Sequence, residues 1–179
     1  MGIVLVTGGA RSGKSSFAQS LYKGYKGVVY IATSKICDDE MEERVRLHRT
    51  FRPSEWRTFE GNYDLCDCIG DEKNYILDCI TVLTSNIMFD ITKNMDKLSF
   101  KIQKKVEDTV MNEIGSLVDK IRDKNFNLVM VTNEVGCSIV PENHVARAYR
   151  DIAGRVNQKI AGLSDEVYIV TCGIPLRIK

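Results

Sequence analysis

The 179-residue chain has only three prolines, one tryptophan and two histidines, no surplus of charge of either sign, and no apolar run near the length of a membrane span. With no Pro-, Gly- or Ser-rich stretch and no shift in composition there is nothing to act as a linker, and the length suits one well-buried domain, residues 1–179. The formal net charge of +1 is the balance of 25 basic and 24 acidic residues scattered along the chain. No basic stripe marks a nucleic-acid partner, so small-molecule chemistry is expected. The N-terminal apolar stretch runs directly into a glycine-rich loop, so neither a cleaved signal nor a membrane span is expected, and the expected location is cytoplasmic. The six cysteines, Cys37, Cys66, Cys68, Cys79, Cys137 and Cys172, lack paired zinc-type spacing and read as reduced thiols used mostly for packing.

What is present begins at residue 8. Gly8-Gly9-Ala10-Arg11-Ser12-Gly13-Lys14-Ser15 fits a glycine, four residues, then Gly-Lys-Ser. The apolar, β-branched run Ile3 to Thr7 before it reads as a buried strand, and Ser16 to Leu21 after it as a helix. In that setting backbone N–H groups and the helix N-terminus surround a β-phosphate, Lys14 reaches the β- and γ-phosphates, and the Ser15 hydroxyl can ligate Mg²⁺. A nucleoside triphosphate site follows.

Further strands are expected at Gly27 to Thr33, at Trp56 to Glu60, at Tyr75 to Ile80, at Leu128 to Thr132 and at Val167 to Thr171. Helices are expected from an Asp38 or Asp39 cap to about Arg49, from Thr81 to about Asn94, from Phe100 to Lys124 and from Asn143 to Leu163. Ile102, Val106, Val110, Ile114, Leu117 and Ile121 form a core-facing stripe on the third of these. On the last, Val145, Tyr149, Ile152, Val156, Ile160 and Leu163 face inward, with Arg147, Arg150, Asp151, Arg155 and Asn157 elsewhere on the circumference. Gly173 to Pro175 is expected to turn the chain into a short tail, Pro175 suiting an edge. Continuous apolar strands alternating with helices predict an α/β fold, a mainly parallel sheet with helices on both faces and sites at the carboxyl ends of its strands.

Asp78 closes the third clear strand, where phosphate-loop enzymes hold Mg²⁺ with an acid, although an acid after an apolar run is also a common strand terminator. His48 shares a helix face with Met41, Arg44 and Val45. Its imidazole, partly neutral near pH 7, could attack phosphorus and form a phosphoramidate; the commoner alternative is a solvated helix histidine. His144, near a helix start, reads as structural. Arg49 and Arg52 could neutralise a triphosphate's developing charge, and Glu60 could pair with a guanine edge; a solvated mixed-charge loop is the alternative. Glu134, at a strand end, is a candidate base, and Arg147, Arg150 and Arg155 are candidate phosphate contacts.

VTGGARSGKS, YIATS, DDEMEERV with His48 and Arg52-Pro53, EWRTFE, VTNEVG, IVPEN and RDIAGRVNQ together span almost the whole chain in order. They resemble the bifunctional adenosylcobinamide kinase/adenosylcobinamide-phosphate guanylyltransferases of cobalamin biosynthesis. The resemblance implies a RecA-like P-loop NTPase fold and a homotrimer with sites near subunit boundaries. It implies that ATP or GTP phosphorylates adenosylcobinamide, and that GTP then gives GMP to adenosylcobinamide phosphate through a guanylylated His48. By position it implies Lys14 and His48 as catalytic residues and Ser15 and Asp78 as Mg²⁺ ligands. The implied nucleotide contacts are Gly8, Gly9, Ala10, Arg11, Ser12, Gly13, Lys14, Ser15, Ala32, Thr33, Ser34, Arg49, Thr50, Phe51, Arg52, Glu60 and Asp78. The chain departs from the family pattern in having aspartate at 78, where glutamate also occurs, and in its GIPLRIK tail. A kinase without guanylyl transfer, or a nucleotide-dependent switch, are the competing readings.

Overall fold

The computed structural model describes residues 2–35, 43, 46, 52–93 and 95–179. Among the described residues seven strands form one sheet: β1 (Ile3–Thr7), β2 (Val28–Ala32), β3 (Arg57–Glu60), β4 (Asn74–Asp78), β5 (Asn127–Val131), β6 (Glu166–Thr171) and β7 (Ile174–Arg177). Their order across the sheet is β3-β2-β4-β5-β1-β6-β7. Every neighbouring pair is parallel except β6 with β7. The loop-bearing strand β1 is thus separated from β4, which carries Asp78, by β5 alone. That order is the RecA-like arrangement of a P-loop NTPase, so the fold expectation holds.

The α-helices whose full span lies among the described residues are α1 (Lys14–Ser20), α2 (Ile80–Thr92), α3 (Phe100–Asp123) and α4 (His144–Leu163). Side chains alternate across a strand, so β1 sends Ile3 and Leu5 to one core and Val4 and Val6 to the other. The first core is closed by Leu83 and Ile87 of α2, Val110 and Ile114 of α3 and Ile152 and Val156 of α4. The second is closed by Ala18 of α1, with Tyr22 and Tyr30. Each fully buried aliphatic side chain contributes about 1.5–3 kcal/mol relative to exposure. This burial on both faces is what makes the central strands unbroken apolar runs.

The α3 stripe behaves as its spacing requires, with Val106, Val110, Ile114, Leu117 and Ile121 buried. Ser99 accepts from Ile102 N, and Asn143 from Ala146 N at 3.0 Å, so α3 and α4 each start on a side-chain cap. Among the described residues no helix is long and apolar enough to cross a membrane.

Several expectations are corrected. The chain from 174 onward is no free tail: Ile174–Arg177 pairs antiparallel with β6, Pro175 opposite Val170 on the sheet edge. The strand expected at 75–80 stops at Asp78, and α2 starts at Ile80, because Cys79 stays extended between them. Asn157, expected off the inward face of α4, is buried and takes part in hydrogen bonds with residues 132 and 133. The described cysteines are all free thiols: Cys68 and Cys79 are buried, Cys66 is half-buried, and Cys137 and Cys172 are exposed, so packing accounts for only part of the set, while Cys37 lies outside the described residues. Of the helix expected to end near Arg49, Glu43 and Arg46 are helical and hydrogen-bonded to each other at 2.6 Å; its remaining residues lie outside the described ones.

Candidate functional site

The loop Gly8–Ser15 leaves the carboxyl end of β1 and turns into α1 at Lys14. Gly13, the helix cap, has φ +97°, and a Cβ there would sit 3.1 Å from Gly173 Cα, so the turn requires a residue without a side chain. The loop is gripped from two sides. Glu134 N donates to Gly8 O at 3.0 Å, and Gly173 N to Ser12 O at 2.8 Å. Inside it, Lys14 Nζ donates to Gly9 O at 2.6 Å while the residue is only 6% exposed. Burial pushes the Lys14 pKa down, opposed by Cys79 and the Asp78 carboxylate nearby. Ser12 Oγ and Thr7 Oγ1 are buried with no hydrogen-bond partner. Orphaned hydroxyls and a desolvated ammonium are what a phosphate-filled cradle would use.

Asp78 lies about 10 Å across the sheet edge from β1, two strand spacings away. Its Oδ2 accepts from Tyr30 Oη at 2.6 Å. Burial raises the Tyr30 pKa and the Asp78 charge raises it further, so the phenol stays a donor. Cys79 is pushed up to about 11, first by burial and then by Asp78, which leaves it a thiol. The oxygens of Asp78 and Ser15 are a hard donor set of the kind Mg²⁺ takes alongside substrate phosphates. Among the described residues there is no group of three or more His, Cys, Asp or Glu that could hold a metal by itself.

A second cluster gathers farther along the same edge. Thr33 is fully buried; its Oγ1 donates to Cys79 O at 2.9 Å and accepts from Cys79 N at 3.0 Å. Asn86 of α2 donates to Thr33 O and to Asn62 Oδ1, both at 2.8 Å, fixing the segment Ala32–Ser34 beside Asp78. Arg52 lies with its guanidinium carbon 3.7 Å from the centre of the Tyr30 ring. Its Nε and Nη1 are buried without a hydrogen-bond partner. Arg52, Trp56, Thr58 and Glu60 line a cavity of about 330 Å³. Unpartnered guanidinium N–H groups beside an open cavity suit an anionic ligand. A larger cavity of about 520 Å³, lined by Met88, Phe89, Asn143 and Tyr149 among others, does not touch the phosphate loop.

Of the residues singled out from sequence, the structure brings Gly8, Gly9, Ala10, Arg11, Ser12, Gly13, Lys14, Ser15 and Asp78 together, and sets Ala32, Thr33, Ser34, Arg52 and Glu60 along the same carboxyl edge. His48, Arg49, Thr50 and Phe51 lie outside the described residues. Arg155 pairs with Glu107 at 2.7 Å. Sequence reasoning missed Tyr30, whose side chain touches both Asp78 and Arg52. It also missed a neutral network behind Asp78: Asn133 Nδ2 donates to Thr81 Oγ1 at 2.7 Å, and Thr132 Oγ1 to Asn157 Oδ1 at 2.7 Å. The available signal was composition, since a buried tyrosine or asparagine needs a partner.

The comparisons with known proteins agree with one another. The family model described as cobinamide kinase / cobinamide phosphate guanyltransferase matches residues 4–178. A bifunctional adenosylcobalamin biosynthesis protein CobU from Escherichia coli strain K12 is 44% identical over 99% of both chains. The protein of the same name from Salmonella typhimurium is 42% identical over 99% of both. A bifunctional adenosylcobalamin biosynthesis protein CobP from Pseudomonas aeruginosa is 32% identical over 98% of this chain and 96% of its own. Among solved structures, a KaiC-like protein from Pyrococcus horikoshii OT3 covers 94% of this chain and 70% of its own at 10% identity and a TM-score of 0.48, so the fold assignment rests on the strand order instead. A full-length family match, relatives of this identity and a complete phosphate loop opposite Asp78 lead to one conclusion: the chain belongs to the cobinamide kinase / cobinamide phosphate guanyltransferase family.

Proposed function

We propose that this protein phosphorylates adenosylcobinamide and then guanylylates the product. In the first reaction the γ-phosphoryl group of ATP or GTP passes to the hydroxyl of the aminopropanol arm. Phosphoryl transfer needs positioning and charge neutralisation more than covalent help, and the loop N–H groups and Lys14 supply both. Ser15 and Asp78 would hold a Mg²⁺ ion, which when bound neutralises charge on the β- and γ-oxygens.

The second reaction joins two anions, the new phosphate and the α-phosphate of GTP. Neutral His48 divides it: a ring nitrogen bonds to the α-phosphorus as pyrophosphate leaves, and a phosphate oxygen of the substrate then displaces the histidine, giving adenosylcobinamide-GDP. Ala32–Ser34, Arg49, Thr50, Phe51, Arg52 and Glu60 are the proposed contacts for the rest of the nucleotide. The working form is proposed to be a cytoplasmic homotrimer with sites near its subunit boundaries.

The observation that carries this reading is the pair of buried, unpartnered nitrogens of Arg52, Nε and Nη1, four residues from His48, on a guanidinium in contact with the Tyr30 that bonds Asp78. It supports a second anion subsite coupled to the phosphate loop. Incubation with GTP labelled at the α-phosphate is expected to leave acid-labile, alkali-stable label on the protein. A His48→Ala variant should lose the label and keep kinase turnover. Label persisting in that variant would falsify the histidine route, and an unlabelled wild type with kinase activity would leave a kinase alone.

A further inference from the structure

The kinase reaction needs a group to take the proton of the attacking hydroxyl, and the two clusters described above do not supply one. Asp78 is engaged: one oxygen accepts from Tyr30 at 2.6 Å, and the same carboxylate is the candidate metal ligand. A carboxylate that spends its lone pairs on a donor and a cation is a poor proton acceptor. Glu60 ends β3, four strand spacings from β1, or about 19 Å. Several other acids are engaged elsewhere: Glu113 of α3 accepts from Leu65 N at 3.2 Å, and Glu166 of β6 lies 3.6 Å from Arg177. Glu72 is paired with Arg57 at 2.7 Å, and Glu107 with Arg155 at 2.7 Å and Lys159 at 2.6 Å. Asp90 is paired with Lys35 at 2.8 Å.

Glu134 is different on each count. It follows β5, the strand between the loop-bearing strand and the strand of Asp78. Its own N–H donates to Gly8 O at 3.0 Å, so its backbone is fastened to the first residue of the phosphate loop. That end of the loop, where Lys14 reaches back to Gly9, serves the terminal phosphates. Its Oε1 accepts only a backbone N–H, from Gly136 at 3.2 Å, and a Cβ on residue 136 would stand 3.2 Å from that oxygen, so glycine there leaves the carboxylate room. It makes no ion pair among the described residues, and it is neither fully buried nor fully exposed. A carboxylate with a free oxygen, no cation and a backbone tie to the γ-phosphate end of the cradle is equipped to accept a proton.

Resting on the proposed kinase reaction, we infer that Glu134 is its general base. The O–H bond of the substrate hydroxyl breaks and its proton passes to a Glu134 carboxylate oxygen. The hydroxyl oxygen bonds to the γ-phosphorus as the bond from that phosphorus to the β–γ bridging oxygen breaks, releasing nucleoside diphosphate. Charge and atoms balance, with Glu134 returned to its ionised form by water.

The test is steady-state cobinamide phosphorylation by the full chain carrying Glu134→Gln and Glu134→Ala, with circular dichroism as the check on folding. A general base supplies roughly 10²–10⁴-fold, so kcat should fall by that order in both variants, while KM for the nucleotide changes by about twofold or less. Added formate or acetate should restore part of the Glu134→Ala rate, because a small carboxylate can occupy the vacated space, and should do nothing for the wild type. A kcat within about threefold of wild type in folded Glu134→Gln overturns the assignment. So does a large loss in folded Glu134→Ala that neither carboxylate relieves. A wild-type protein that binds nucleotide and phosphorylates no cobinamide refutes the proposed reaction itself, which is a different result from either.

Discussion

Tyr30 connects parts of the site that are far apart in sequence. Its hydroxyl holds Asp78 at 2.6 Å and its ring carries Arg52 at 3.7 Å, while burial keeps the phenol protonated. Replacing an outer partner of a metal-holding carboxylate typically costs 10–100-fold in metal affinity. Tyr30→Phe is therefore expected to raise the Mg²⁺ concentration needed for half-maximal kinase rate by roughly that factor, with the maximal rate at saturating Mg²⁺ much less affected. An unchanged Mg²⁺ requirement would show that Asp78 is oriented without it. Lys14 and Asp78 could be read from the sequence because each sits at a fixed offset from an apolar strand, a local rule that needs no tertiary knowledge. Tyr30 could not, since period-two alternation says only that it faces a core and not what waits there. Asn157 escapes its helical pattern for the same reason: helical spacing sorts apolar from polar, and a polar residue turned inward to bond Thr132 at 2.7 Å breaks that sort.

Between elements, α3 and α4 are joined by more than their apolar stripes. Glu107 of α3, its side chain only 9% exposed, takes Arg155 at 2.7 Å and Lys159 at 2.6 Å from α4. Burial by itself would raise the Glu107 pKa, but the two cations outweigh it and hold the carboxyl below the usual glutamate range. A carboxylate with a depressed folded-state pKa stabilises above its unfolded value and loses that contribution as pH falls through the folded one. Glu107→Gln is expected to lower stability at pH 7 by about 1.5–3 kcal/mol, the worth of hydrogen bonds to a charged group. In a chain of this size each kcal/mol is about 2–4 °C in Tm. The gap between the two melting curves should narrow as pH drops below about 4, where unfolded glutamate takes up its proton. A gap that stays constant with pH would mean that packing, not charge, is what the substitution removes. Elements with one strong period, such as α3, were legible to within a residue. β7 was not, because its pairing depends on where the β6 hairpin folds back, which no local pattern records.

Across the whole molecule, the far end of the chain supports the near end. Gly173, in the turn between β6 and β7, has φ +80° and donates its N–H to Ser12 O at 2.8 Å, so the hairpin presses on the phosphate loop some 160 residues earlier in the sequence. Nothing stands within 4 Å of where its Cβ would be, so Gly173→Ala introduces left-handed backbone strain and no clash. That strain is about 1–2 kcal/mol, released by moving the turn and with it the N–H that holds Ser12. Passed fully to the loop, the same energy is a factor of roughly 5–30 in an equilibrium constant. Gly173→Ala is therefore expected to weaken triphosphate binding, measured by calorimetry, by a factor within that range. The Ser12 carbonyl orients the peptide before Gly13, which opens α1 and sets the direction of Lys14. Because the substitution removes no group proposed to touch the nucleotide, an unchanged Kd alongside a lowered Tm would place the hairpin in the fold alone. A weakened Kd would make the cradle a property of both ends of the chain.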